Sequence, residues 1–270
     1  MRRLCIHTVT TKPWSTEDCI RKFASAGAGG ITFWRYNLEG RDASAVGRQA
    51  REAGLEVTSL CRGGFFPARD AAGRQAAIDD NKLCIDQAQA LGAPLVVLVC
   101  GAVPGQPLTE SRKQIAEGIA AVLPHAEAAG VKLAIEPLHP MYADDRSAVN
   151  TMRQAHDICD TLGSPAQVGI AVDVYHVWWD PELKAMIELA GSTGRLHAFH
   201  ICDWKTPTTD LLNDRGLMGE GCIKIREISD WVDATGFTGV REVEIFSHKY
   251  WAMDQDEWLG KIVEAYRSIY

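Results

Sequence analysis

Pro94-Leu-Val-Val-Leu-Val-Cys100 is apolar from end to end. A strand with one solvated face alternates apolar and polar residues, so a run apolar at both parities reads as a strand of a parallel sheet covered on both sides. Working outward, the same kind of short run recurs at Arg3–Thr8, Gly30–Arg35 and Leu55–Cys61 upstream, and at Val131–Leu138, Val168–Tyr175, Arg195–Cys202 and Val240–Phe246 downstream. Each is followed by a stretch of helical period with recognisable ends. Ser15-Thr-Glu-Asp18 supplies a cap and an acidic first turn, and Gly54 and Gly92 stop two helices. Asp180-Pro-Glu182 places proline in a first turn, before a short helix. The remaining helices are expected near 42–53, 69–91, 109–129, 147–162, 223–235 and from 254 onward.

Eight strands alternating with eight helices over 270 residues give about 34 residues per unit, near the ~30 of a βα crossover. No linker or low-complexity stretch interrupts them. The expected fold is therefore α/β, a single (β/α)8 TIM barrel spanning residues 1–270. A doubly wound sheet is the alternative, but no Gly-rich phosphate loop follows the first strand.

Composition narrows the function without naming it. There are 28 Lys+Arg against 35 Asp+Glu, a net charge of −7, which disfavours nucleic acid and anionic membrane as partners. No apolar run approaches the ~20 residues of a spanning helix, and the amino terminus, with His7 and two threonines interrupting a short apolar run, does not read as a signal peptide. Eight cysteines, scattered and without a CxxC pair, read as reduced, mostly buried thiols. A cytoplasmic enzyme is expected, and loop aromatics make a homodimer or tetramer plausible.

In this barrel the active site lies at the carboxyl ends of the strands. Strand five ends Ile135-Glu136-Pro137-Leu-His139, strand six Val172-Asp173-Val-Tyr-His176, strand seven Phe199-His200-Ile-Cys-Asp203, and strand eight Glu242-Val-Glu244-Ile-Phe246. Glu136, Asp173, His200 and Glu244 stand at about one height on four consecutive strands, so they converge. Three carboxylates and one imidazole are mostly hard ligands, suited to one divalent metal ion: Mn²⁺ first, then Mg²⁺ or Co²⁺, and Zn²⁺ last. The competing use is ion pairing with neighbouring Arg or Lys. It is the weaker reading, because three packed acids repel unless a cation compensates them, and basic residues at these strand ends are few. Strand parity turns His197 toward the helices and points Glu242 deeper into the barrel, where an ion pair is expected. His7 ends strand one, where a lone histidine reads as structural. Six tryptophans, Trp34 among them, lie at or beyond strand ends and could stack on the apolar face of a sugar.

Residue by residue the quartet resembles the metal site of the xylose-isomerase-like barrel superfamily, which holds ketose 3-epimerases, hydroxypyruvate isomerase, inosose dehydratase and AP endonucleases. The most specific elements are Glu136 in IEP, Asp173-Val-Tyr-His176, His200 in FHICD and Glu244 in EVEIF. The resemblance implies that Glu136 and Glu244 are the catalytic acid–base pair, that His176 contacts a substrate oxygen, and that Arg215, before Gly219-Glu220-Gly221, holds the substrate. His139 and Trp34 are expected to line the pocket. The activity implied is a divalent-metal-dependent sugar isomerase or epimerase acting on a ketose or keto-sugar through an enediolate. A dehydratase or lyase on an inosose or 3-keto-glycoside is the alternative. An AP endonuclease would need more metal ligands and a basic surface, and a non-catalytic sugar-binding barrel is the remaining possibility.

Overall fold

A computed structural model describes residues 1–270. Eight parallel strands close into a barrel: β1 (Leu4–His7), β2 (Gly30–Trp34), β3 (Glu56–Gly64), β4 (Leu95–Val99), β5 (Lys132–Glu136), β6 (Val168–Asp173), β7 (Leu196–Ile201) and, completing the circle against β1, β10 (Arg241–Val243). Between β7 and β10 a two-residue antiparallel ribbon, β8 (Asp203–Trp204) with β9 (Arg215–Gly216), lies outside the barrel. The expected barrel is the observed one, and β4 is buried at all five positions, as its two apolar parities require.

The outer helices are α1 (Thr16–Ser25), α2 (Ala43–Glu52), α3 (Ala71–Leu91), α4 (Leu108–Ala129), α5 (Met152–Thr161), α7 (Leu183–Ser192), α8 (Ile225–Ala234) and α10 (Gln255–Ile269). Two single-turn helices, α6 (Val174–Val177) and α9 (His248–Trp251), sit on the loops over the carboxyl ends of the strands. Ser15 accepts from the Asp18 N–H and Gly92 closes α3 in the left-handed region at φ 80°, as read. By contrast, α7 starts at Leu183, so Pro181 precedes its first turn and Asp180 accepts the Glu182 N–H in a turn before it. No helix is long and apolar enough to cross a membrane. Seven cysteines are buried, Cys222 is exposed, and none is paired.

Two boundaries move for local reasons. The helix expected from Ser147 starts at Met152, because Arg146–Ala148 is tied to the β4 exit. There the Gly101 N–H donates to Arg146 O, and the Ala148 N–H to Gly101 O. Thr151 then caps α5 by accepting from Gln154 N–H. The last strand, expected to run to Phe246, stops at Val243. Beyond it the Glu244 N–H still donates to Ile201 O, but Ile245 N–H turns to the Thr10 hydroxyl.

His197 does not face the helices. The β6–β7 register slips between Ile170/Ala171, which pair with Leu196 and Ala198, leaving His197 as the extra residue of a bulge. The bulge breaks the parity rule. The ring packs over Gly169, where an added Cβ would come within 2.5 Å of it, and lines the opposite, amino-terminal mouth of the barrel with Lys132 and Glu242. Burial and the Lys132 ammonium hold its pKa down from 6.5 to about 4. The folded chain therefore takes up this proton less readily than the unfolded chain, and the stability so gained is present above pH 6.5 and lost as pH falls toward 4. Urea midpoints of wild type and His197→Gln, compared at the two ends of this window, should show the variant losing less stability on acidification. An equal loss in both proteins would exclude this role.

Backbone closeness around the β3 exit restricts Gly64. It sits at φ 107°, and a Cβ there would come 2.0 Å from Val99 O. Gly64→Ala is expected to destabilise by roughly 1–3 kcal/mol or more, read from denaturant unfolding.

Candidate active site

The carboxyl ends of β5, β6, β7 and the stretch after β10 bring Glu136, Asp173, His200 and Glu244 together. One potential ligand atom from each lies within 4.8 Å of the others, and all four residues are buried. Inward parity does this: Ala134 precedes Glu136, Ala171 precedes Asp173, and Ala198 precedes His200, one small side chain below each polar one. The small residues fill the barrel interior, and the polar ones cap it.

His200 Nδ1 lies 3.0 Å from Glu136 Oε1, yet the pair lacks hydrogen-bond geometry, and neither ring nitrogen of His200 has another hydrogen-bond partner. Buried polar atoms are normally satisfied. An imidazole nitrogen and a carboxylate oxygen 3.0 Å apart, with candidate ligand atoms of Asp173 and Glu244 within 4.8 Å, fit co-ligands of one cation. The set of three carboxylates and one imidazole fits a divalent ion that prefers oxygen. Glu136, Asp173, His200 and Glu244 are the residues that would hold it.

A second layer supports them. His7 bridges two glutamates, with Nδ1 2.9 Å from Glu244 Oε1 and Nε2 3.1 Å from Glu242 Oε2. Glu242 also accepts from Thr32 at 2.6 Å and Ser59 at 3.3 Å, so its deep, ion-paired place is as expected. His7, read as an isolated structural histidine, is instead the link between the floor and Glu244. Burial opposes the charge on His7, but Glu244 and Glu242 outweigh it and raise its pKa to about 9. For His200 burial is likewise outweighed, by Glu136 and Glu242, and its pKa also rises to about 9.

Arg215 reaches the quartet from outside the barrel. The β8–β9 ribbon turns the chain back, and Asp203 anchors it by accepting from the Trp204, Gly219 and Ile223 N–H groups. The guanidinium is held between Tyr175 and Phe246, 4.4 and 4.9 Å from their ring centres. Its Nη1 donates to Glu244 Oε2 at 2.7 Å and to Asp173 Oδ2 at 3.0 Å. The ion-pair use set against the metal reading is thus realised for two of the four residues, by an arginine from a loop and not from a strand end. Burial pushes Asp173 up to about 7 against the pull of Arg215. Arg215 and His7 overcome burial at Glu244 and hold it well below the usual carboxylate range.

His176, on α6, is buried beside them, with Nε2 3.2 Å from Arg215 Nη2 and 3.6 Å from Asp173 Oδ2. Burial and Arg215 push its pKa well down, so the ring is neutral. Its Nε2 faces a guanidinium nitrogen, which can only donate, so that edge accepts from Arg215, and its Nδ1 lies 3.3 Å from the His139 backbone nitrogen.

A cavity of about 230 Å³ opens over these groups, lined by Glu136, His176, Arg215, Glu244, Trp34 and Phe246 among others. That is below the ~300–1,000 Å³ of drug-sized pockets and suits a small polar molecule. Trp34 lines the cavity, meeting Phe246 edge to face at 5.2 Å. His139 does not: its ring packs between Trp179 and Trp204, at 5.7 and 5.0 Å, and Nδ1 accepts Met141 N–H. The aromatic cluster of Trp178, Trp204 and Tyr175 beneath the ribbon draws it away from the pocket. Trp251 lines the cavity, whereas Trp14 packs on Phe23. Sequence reasoning missed Phe246, Tyr142, Arg62 and Arg146. Arg62 follows Cys61 at a strand end and was open to the same strand-end reasoning; Arg146 and Tyr142 lie on a loop with no periodicity to betray them.

Fold and donor set together define a (β/α)8 barrel with a candidate divalent-cation centre at the carboxyl ends of its strands. The chain belongs to the family of xylose isomerase-like TIM barrels, whose profile matches residues 20–269. It is 26% identical over 210 residues to the inosose isomerase of Bacillus velezensis, covering 76% of this chain and 72% of that protein. A crystal structure of a protein from Sinorhizobium meliloti 1021 superposes with a TM-score of 0.95 at 48% identity, covering 99% of this chain and 98% of that one. The zinc-bound IOLI protein superposes with a TM-score of 0.85 at 23% identity, covering 99% and 97%, a likeness of fold.

Proposed function

We propose that this chain is a divalent-metal-dependent isomerase or epimerase of a ketose or keto-sugar, with Glu136 and Glu244 as its two bases and an enediolate as intermediate. The observation that carries the reading is the convergence of the buried Glu136, Asp173, His200 and Glu244. Similarity to inosose isomerases supports the reaction class.

A bound divalent cation, Mn²⁺ being the best match to an oxygen-rich set, would polarise a substrate carbonyl and acidify the neighbouring C–H. Glu136 and Glu244 come from the first and last of the four consecutive strands and flank the site. One takes a carbon-bound proton, leaving the enediolate; the other returns a proton from the opposite face and inverts the centre. Return at the adjacent carbon isomerises instead. His176 contacts a substrate oxygen, and Arg215, clamped between two rings, orients that oxygen beside Asp173 and Glu244. Trp34 and Phe246 cover the apolar face of the sugar and exclude water.

Incubation of Mn²⁺-loaded protein with a ketose panel in D₂O tests this. One solvent deuterium on carbon without change of composition is expected. Loss of water or of an aglycone would establish the dehydratase or lyase alternative instead.

A further inference from the structure

We propose that the substrate of this site carries an anionic group, a carboxylate or a phosphate monoester, at the end remote from the reacting carbons, bound by Arg62 and Arg146 with Lys12 at the entrance. The inference rests on the functional reading above and adds the substrate's charge to it.

Arg62, Arg146 and Lys12 line the same cavity as Glu136 and Glu244. Elsewhere at this end of the barrel Arg35 pairs with Asp80, Arg153 with Glu182, and Arg215 with Asp173 and Glu244, while Arg69, Arg74 and Arg112 donate to backbone carbonyls. The three cavity cations touch only aromatic faces. Arg62 lies 4.4 Å from the Phe65 ring centre and 6.0 Å from Trp34, Arg146 5.6 Å from Tyr142, and Lys12 4.8 Å from Trp251. Arg62 and Arg146 are half-buried, and Lys12 is exposed. In a chain of net charge −7, acids are plentiful, yet none closes on these three.

Glu244 and Asp173 pair with Arg215, and Glu242 and Glu244 with His7, so none of these floor acids forms an ion pair with the three rim cations. Burial and the like charge of Arg146 weigh on the Arg62 guanidinium against the partial relief that Glu136 and Glu244 give it, and a bound anion would add to that relief. Arginine forks match carboxylate and phosphate oxygens. There is room for the group: the cavity continues into a groove of about 700 Å³ that shares Lys12, Trp34, Arg62 and Phe246 with it. The reacting end of the substrate then lies on the floor and its charged end among the rim cations.

Calorimetric titration at fixed ionic strength tests this with matched pairs: ribulose 5-phosphate against ribulose, and fructuronate against fructose. At least one charged member should bind about tenfold or more tighter than its neutral partner, and the pair that shows it identifies phosphate or carboxylate. Arg62→Gln with Arg146→Gln should abolish the preference, read as the ratio of charged to neutral affinity within each pair. Arg62→Lys with Arg146→Lys should keep part of the preference, and does so even if the glutamine pair folds poorly. Added salt should weaken only the charged ligand. Equal binding within both pairs, binding of neither member, or a preference that survives the glutamine pair would overturn the proposal. Because binding is read without turnover, failure of the isomerase reading would show separately, as absent deuterium incorporation alongside an intact charge preference.

Discussion

Glu244→Gln and Glu136→Gln are each expected to lower ketose interconversion by about 10²–10⁴-fold, the range associated with a positioned acid–base group. Glutamine keeps the volume and one carbonyl oxygen but cannot take a proton. The two residues also differ in what else they hold. Glu244 receives Arg215 Nη1 and faces His7, whereas Glu136 faces only His200. The Glu136 variant should therefore leave Arg215 in place. If the two glutamates serve opposite faces, each variant should still exchange deuterium into the one epimer whose C–H meets the surviving glutamate, without converting it to the other. Exchange followed epimer by epimer in D₂O, with metal content measured on the same samples, checks this. Loss of the metal alone would abolish both exchanges equally and remove the two-base assignment.

Arg215→Met is expected to destabilise the metal-free protein strongly and to make it depend on a divalent cation. The guanidinium is buried and is the cation nearest Asp173 and Glu244, at 3.0 and 2.7 Å. Removing one partner of a buried ion pair costs about 3–5 kcal/mol, because the remaining charge is stranded. Asp173, already pushed up to about 7, can take a proton and soften the loss. The lower end of the range is therefore expected near neutral pH, or roughly 6–12 °C in Tm for a chain of this size. Mn²⁺ placed among the same carboxylates should restore part of that stability, and the Tm gain on adding it should be larger in the variant than in wild type. Thermal melts with and without Mn²⁺ measure both effects; equal Mn²⁺ gains in the two proteins would place the cation away from Asp173 and Glu244.

The barrel was legible because burial on two faces leaves a periodic trace: β4 is apolar throughout, and β5, β6 and β7 carry small residues two positions below the polar tip. The same period of two places Glu136, Asp173 and His200 on one level, so three of the four converging residues follow from counting. Glu244 lies one residue past the end of its strand and still obeys the count. His197 shows where counting stops. A single bulged residue reversed its side, and nothing in Leu196-His197-Ala198 marks the slip. His139 has the spacing of a pocket residue, but Trp179 and Trp204, from two separate loops, hold its ring.

What the amino-acid sequence determined by itself is the eight-unit barrel and the level at which its acids and imidazole meet, since strand parity and two-sided burial are local and repeat along the chain. Only the tertiary structure decided that Arg215 enters from a ribbon outside the barrel, that His7 ties Glu242 to Glu244, and that Arg62, Arg146 and Lys12 ring one cavity without carboxylate partners. Those placements depend on how non-periodic loops fold over the strand ends, where contacts between distant residues set each side chain's direction and no repeat in the sequence records it.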